Sequence, residues 1–120
     1  MEKEFVSYEL ALALKELGFN EPCYDNYNIY GKLWGLRLNK QVKIKGACLA
    51  PTYSQAFRFF RDKYKLPSWV YTSDNEKFYY GILRDTRFLI DGNKPYETYE
   101  EAEWACLIKL IEVVTLAQKK

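Results

Sequence analysis

Lys32-Leu33-Trp34-Gly35-Leu36-Arg37 and, further along the chain, Lys77-Phe78-Tyr79-Tyr80-Gly81-Ile82-Leu83-Arg84 read as two copies of one strand. Each is followed by a second shared stretch. It is Pro51-Thr52-Tyr53-Ser54-Gln55-Ala56 after the first and Tyr96-Glu97-Thr98-Tyr99-Glu100-Glu101-Ala102 after the second. Both parts recur after about 45 residues, the size of one supersecondary unit used twice. The aromatic-rich runs predict strands, and Thr with Gln or Glu three residues on predicts a capped helix start. The reading is a single domain over 1–120 with ββα repeat units at 24–66 and 68–117.

Working outward, Ser7 is placed to cap a first helix whose Leu10, Leu14 and Leu17 share a face. Gly18 offers its left-handed stop, and Phe19 can fold back on the last turn. Residues 20–31 are rich in turn formers, with an interleaved edge strand. Strands are expected at 33–38 and at 41–45, where Val42 and Ile44 alternate with Lys43 and Lys45. The second helix runs from Thr52 towards Pro67, with Tyr53, Phe57, Phe60 and Tyr64 as an aromatic stripe. Further strands fall at 69–72, 78–84 and 87–90, punctuated by Ser73-Asp74-Asn75 and Asp91-Gly92-Asn93. Gly35 and Gly81 hold matching places, where glycine marks a bulge or a close backbone approach. The last helix, from Thr98, carries Trp104, Leu107, Ile108, Ile111 and Val114 on its apolar face, extended by Cys106, Leu110, Val113 and Ala117. Lys109 and Glu112 mark its wet side, and Lys119 and Lys120 suit its C-terminal dipole. The order α-(ββ)α-(ββ)α predicts an α+β two-layer sandwich, an antiparallel sheet with helices on one face.

Composition excludes several classes. A net charge of +2 gives no global basic footprint for nucleic acid. The start, Met1-Glu2-Lys3-Glu4, lacks the blocks of a signal peptide, and Lys109 interrupts the best apolar run, so a cytoplasmic chain is expected. There is no histidine, which removes the commonest general base and metal ligand together. Cys23, Cys48 and Cys106 show no paired spacing and read as reduced, structural thiols; Cys48 alone stands near a helix start. Phosphate loops, paired-cysteine metal spacings and serine elbows are missing. Glu100, Glu101 and Glu103 sit where acids suit a helix dipole. Neither catalysis nor a cofactor or metal is expected.

One constellation stands out. Arg58, Arg61 and Lys65 are spaced i, i+3, i+7 on the second helix, Lys43 and Lys45 share one side of a strand, and Arg84 ends another, with Arg37 and Arg87 on or beside strands. Aromatics run through all of these segments. Such a set can hold an anion, a nucleotide or an RNA backbone. Equally, it is a solvated face balanced by Asp62, Asp74 and Glu76. The abundance of Tyr and Trp fits both a half-buried sheet and a contact surface.

Three stretches also carry a resemblance: 9–19 with Glu21-Pro22-Cys23, 50–61, and 96–103. They resemble short, uncharacterised proteins of phages and mobile elements of gut Bacteroidetes, over most of the chain apart from 24–47 and 67–95. The resemblance implies a small accessory protein in the host cytoplasm that binds a host factor or sequesters a small molecule. It carries no site residues over. The expected function is a non-catalytic protein-binding or assembly module, acting on a protein partner or a second copy. The alternative is a binder of a nucleotide or other phosphorylated ligand, or RNA, through the basic-aromatic set.

Overall fold

Ser7 opens the first helix, α1 (Tyr8–Glu16), in extended backbone, but its side chain makes no capping bond. The other end closes as expected. Gly18 takes φ +98°, its N–H reaches the Lys15 carbonyl at 3.1 Å, and the Phe19 N–H reaches Leu14 at 2.9 Å. That is the Schellman arrangement, and the buried Phe19 seals it. The computed structural model describes residues 4–73, 76–84, 88–91 and 94–118. The expected positions Asp74, Asn75, Arg87, Gly92, Asn93, Lys119 and Lys120 lie outside them.

After α1 come β1 (Asp25–Tyr27), β2 (Cys48–Ala50), α2 (Tyr53–Lys63), β3 (Ser68–Thr72), β4 (Phe78–Arg84), β5 (Phe88–Asp91) and α3 (Tyr99–Gln118). The α+β class and the element order are as the sequence predicts. Among the described residues the strands form two antiparallel sheets, β1-β2 and β3-β4-β5, instead of one. The chain divides into two compact units, Met1–Ala56 and Phe57–Lys120, the boundary falling inside α2.

In the first unit α1 packs on β2. Val6, Leu14, Phe19, Cys23, Cys48 and Leu49 are buried there. The strands expected at 33–38 and 41–45 do not form. Gly35 adopts φ +72°, which breaks an extended run. Only single bridges, Leu33 to Tyr27 and Leu38 to Cys23, remain. At 41–45 the Gln41 side chain occupies the backbone groups a ladder would use. Its amide nitrogen donates to the Phe19 carbonyl at 2.9 Å, and its oxygen accepts the Leu49 N–H at 3.0 Å. The strand that does form, Cys48–Ala50, is three wholly buried residues, too short to show a period.

In the second unit α3 packs on β4 and β3. Residues of one parity face it: Tyr80 and Ile82 are buried, and the Phe78 ring meets Tyr99 edge-on at 6.2 Å. The opposite parity carries Trp69 beside Gly81, and Tyr71 stacked on Tyr79 at 5.5 Å. The buried stripe of α3 is Ala102, Cys106, Leu107, Leu110 and Val114. Trp104, expected on that stripe, is half exposed. Small residues, Ala102 and Ala105, hold the buried positions of the first turns instead.

Both predicted helix starts are capped, the first by a reciprocal box and the second by the Thr98 side chain alone. The Thr52 hydroxyl accepts the Gln55 N–H at 3.2 Å while Gln55 Oε1 accepts the Thr52 N–H at 3.0 Å, a reciprocal box. Thr98 accepts the Glu101 N–H at 3.1 Å. Among the described residues no helix is long and apolar enough to cross a membrane.

Candidate functional site

The basic set is divided by the fold. Lys43 and Lys45 lie in the first unit, exposed on a turn that ends at Gly46 (φ +89°) and not on a strand. Arg58, Arg61, Lys65 and Arg84 lie in the second. The first three project, exposed, from α2 and the residues after it. The Arg61 Nε lies 3.6 Å from the Asp62 carboxylate, both well exposed. Lys65 takes a left-handed φ of +57° past the helix end, and its Nζ donates to the Asp62 carbonyl at 3.0 Å. It therefore works partly as a helix stop. Arg84 closes β4 beside the second half of α3.

The thiols are no nucleophiles. All three are free and buried. Burial pushes Cys23 up to about 12, with the Glu21 carboxylate adding to it. It pushes Cys106 up to about 12 and Cys48 up to about 11, the latter against the pull of the Lys15 ammonium. A thiolate is the reactive form, so these positions are inert at neutral pH. Among the described residues no group of three Cys, Asp or Glu could hold a metal ion.

The surface that does emerge lies in the first unit, between β1 and β2. Its backbone is tied at several places. Cys23 and Leu38 exchange N–H···O bonds of 2.8 and 3.1 Å, and the Trp34 N–H reaches the Asn26 carbonyl at 3.0 Å. Asn28 Oδ1 accepts the N–H groups of Tyr30 and Lys32, and Asp25 Oδ1 accepts that of Gly35 at 2.7 Å. Helix α1 holds the segment from below. Tyr8 donates its hydroxyl to the Gly46 carbonyl at 2.6 Å, and Lys15 Nζ donates to the carbonyls of Ala47 and Ile44. The Tyr8 ring also lies where a side chain on Gly31 would begin. An added Cβ would stand 2.8 Å from it, at φ +78°.

With its backbone tied down, the segment turns apolar side chains outward. Tyr30 is 80% exposed, Tyr24 66% and Trp34 59%, and Ile29, Leu36 and Ile44 are each at least half exposed. Lys32, Arg37, Lys40, Lys43 and Lys45 are exposed among them, while Asp25 is the one acid between residues 24 and 46. The Arg37 guanidinium sits 5.4 Å from the Tyr24 ring centre. Glycine turns and side-chain ties thus hold together a platform that is both aromatic and basic. The sequence placed Lys43, Lys45 and Arg37 in such a set, but on strands. It missed that Tyr24, Tyr30, Trp34 and Leu36 are outward. The turn formers clustered over 20–31 were the available signal. Compared with protein-family models, curated proteins and solved structures, the chain matches none.

Proposed function

We propose that this protein is a non-catalytic binding module that engages another protein through the aromatic-basic segment 24–46. The observation that carries the reading is the outward exposure of six large apolar side chains within 24–44, on a backbone fixed by α1. Exposed Tyr and Trp give large contact area at low entropic cost, and interface cores are enriched in them. Five cations against one acid call for a partner whose surface is apolar with an acidic rim. Two copies meeting through this segment would bring like charges together, which favours a different protein over self-association. We propose as well that it is a small phage-encoded accessory protein, for which binding a host factor is a fitting role. The three inert thiols and the lack of histidine support a role without covalent chemistry.

The test compares the wild type with a Tyr30→Ser/Trp34→Ser variant as immobilised baits, at low and at raised salt. Both positions are exposed, so the fold is retained. A partner held by the wild type, released by salt and lost from the variant supports the reading. A partner kept by that variant but lost from Arg58→Ala/Arg61→Ala contradicts it and moves recognition to α2. Stabilisation of the free protein by nucleotides, with no protein bound, favours the phosphorylated-ligand alternative.

A further inference from the structure

The second unit contains a cleft that the protein-binding reading does not use. It lies where the end of β4, Ile90 of β5 and the C-terminal half of α3 diverge, and it encloses about 420 Å³. That volume falls within the range of about 300–1,000 Å³ in which small-molecule pockets lie. Its walls are chemically divided. Ile90, Val113, Leu116 and Ala117 give it an apolar lining, and Leu116 is more than half exposed along it. Arg84 and Lys109 stand as its cations and Glu112 as its acid.

The charges do not cancel. Lys109 Nζ and the Glu112 carboxylate are 3.2 Å apart, so they neutralise one another. Arg84 has no ion pair or hydrogen bond among the described residues, and its parity on β4 matches Ile82 and Tyr80, the side facing α3. Among the described residues, a guanidinium with no ion pair thus stands beside an apolar lining, which fits one negative charge attached to a hydrocarbon body. A phosphate without a hydrocarbon body would leave the apolar wall unused.

We infer that this cleft binds an apolar monocarboxylate, its head group paired with the Arg84 guanidinium and its chain laid along Ile90, Val113 and Leu116. A guanidinium offers two parallel N–H donors to a carboxylate, which fixes the head group. The chain contributes by leaving water. The site is independent of the segment 24–46.

The experiment is an amide-resolved NMR titration of the whole protein with decanoate, kept below its micellar range. Saturable shifts at Arg84, Ile90, Val113 and Ala117 are expected. Arg84→Gln should weaken the titration at least tenfold, and so should Leu116→Asp, an exposed position where the fold is retained. Decanol, which has the chain without the charge, should bind at least tenfold more weakly than decanoate, and inorganic phosphate should move none of these amides. Four results would overturn the proposal: no shift with decanoate, equal binding by Arg84→Gln, equal binding of decyltrimethylammonium, or the same shifts produced by phosphate alone.

Discussion

The two copies of the repeated motif meet different fates. In the second copy Phe78–Arg84 becomes the central strand of a three-stranded sheet, paired along Ser68–Thr72 on one side and Phe88–Asp91 on the other. Lys32–Arg37 becomes a looped segment joined to its surroundings by single bridges. The helix caps that follow are alike, but their links to the strands are not. In the second copy Phe78 exchanges N–H···O bonds of 2.9 and 2.8 Å with Tyr96, just before the helix, and Lys77 pairs with Glu97. In the first copy Leu33 bridges to Tyr27, and Thr52 bridges to Phe5 instead. A cap is decided by three or four neighbouring residues, so it survives transfer. A strand is decided by what lies on either side of it. The copy without flanking strands is the one that turned its aromatics to solvent.

The largest effect expected is alkaline and divides the units unequally. Cys23 and Cys48 belong to the first unit and Cys106 to the second. Burial raises each native thiol above its unfolded value of about 9. Above that value the unfolded chain releases protons that the native chain keeps. Stability is therefore intact below pH 9 and falls as pH rises, levelling off near 11 for Cys48 and near 12 for the other two. Each thiol contributes a loss of about 1.4 kcal/mol per pH unit within its window. Urea unfolding between pH 8 and 10.5 should show this fall. Cys23→Ala/Cys48→Ala should remove about twice as much of the slope as Cys106→Ala. Equal slopes in all variants would mean that the thiols are not buried as described.

Next comes the residue after the shared glycine. Ile82 is fully buried and Leu36 is 52% exposed. Ile82→Ala should cost about 3 kcal/mol through the cavity it leaves. Leu36→Ala should stay within about 0.5 kcal/mol. Comparable losses in chemical denaturation would break the contrast between the copies.

The glycines themselves sharpen it. Gly35 needs its positive φ, and nothing lies within 4 Å of a Cβ added there. Gly81 has an ordinary strand conformation but no room, since an added Cβ would stand 2.6 Å from the Trp69 ring. Asn tolerates the left-handed region, so Gly35→Asn should be nearly neutral. Gly81→Asn must displace the partly exposed Trp69 and should cost about 1–2 kcal/mol, with a change in tryptophan emission. A reversed order in thermal unfolding would show the two positions to be misassigned.

The smallest difference concerns the caps. Thr52 takes part in both bonds of its box and Thr98 accepts one. Removing either side chain should cost about 1 kcal/mol, because each accepts one backbone N–H that its loss orphans, while the bond from the Thr52 backbone to Gln55 survives Thr52→Ala. An unchanged urea midpoint for Thr98→Ala would count against the start of α3.

Much of this was legible in the sequence because it is local. The stop at Gly18-Phe19, both Thr caps, the strand 78–84 and the burial of Cys106 follow from residues close together in the chain. The misses share one cause. Gln41 ties to Phe19 and Leu49, and Tyr8 to Gly46, through contacts distant in sequence. Those ties decide that Val42–Lys45 loops and that Ile44 faces outward. Trp104 looked buried on helical spacing alone, but its helix gives the inward positions to Ala105 and Cys106. Of the candidate site, the residue types were readable. Their division between two units was not, since Lys43 and Arg58 differ only in which unit folds around them.

The first unit presents a solvent-facing aromatic surface in a positive field. Two tryptophans test it, because Trp34 and Trp104 are similarly exposed while their neighbours differ in sign: Lys32 and Arg37 near the first, Glu100, Glu101 and Glu103 near the second. Fluorescence quenching by iodide and by caesium should be compared in Trp69→Phe/Trp104→Phe, which keeps Trp34, and in Trp34→Phe/Trp69→Phe, which keeps Trp104. Iodide should quench Trp34 more strongly than caesium does, added salt should narrow the gap, and Trp104 should show the opposite preference. A Trp34 that neither ion reaches, or one quenched more by caesium, would contradict it.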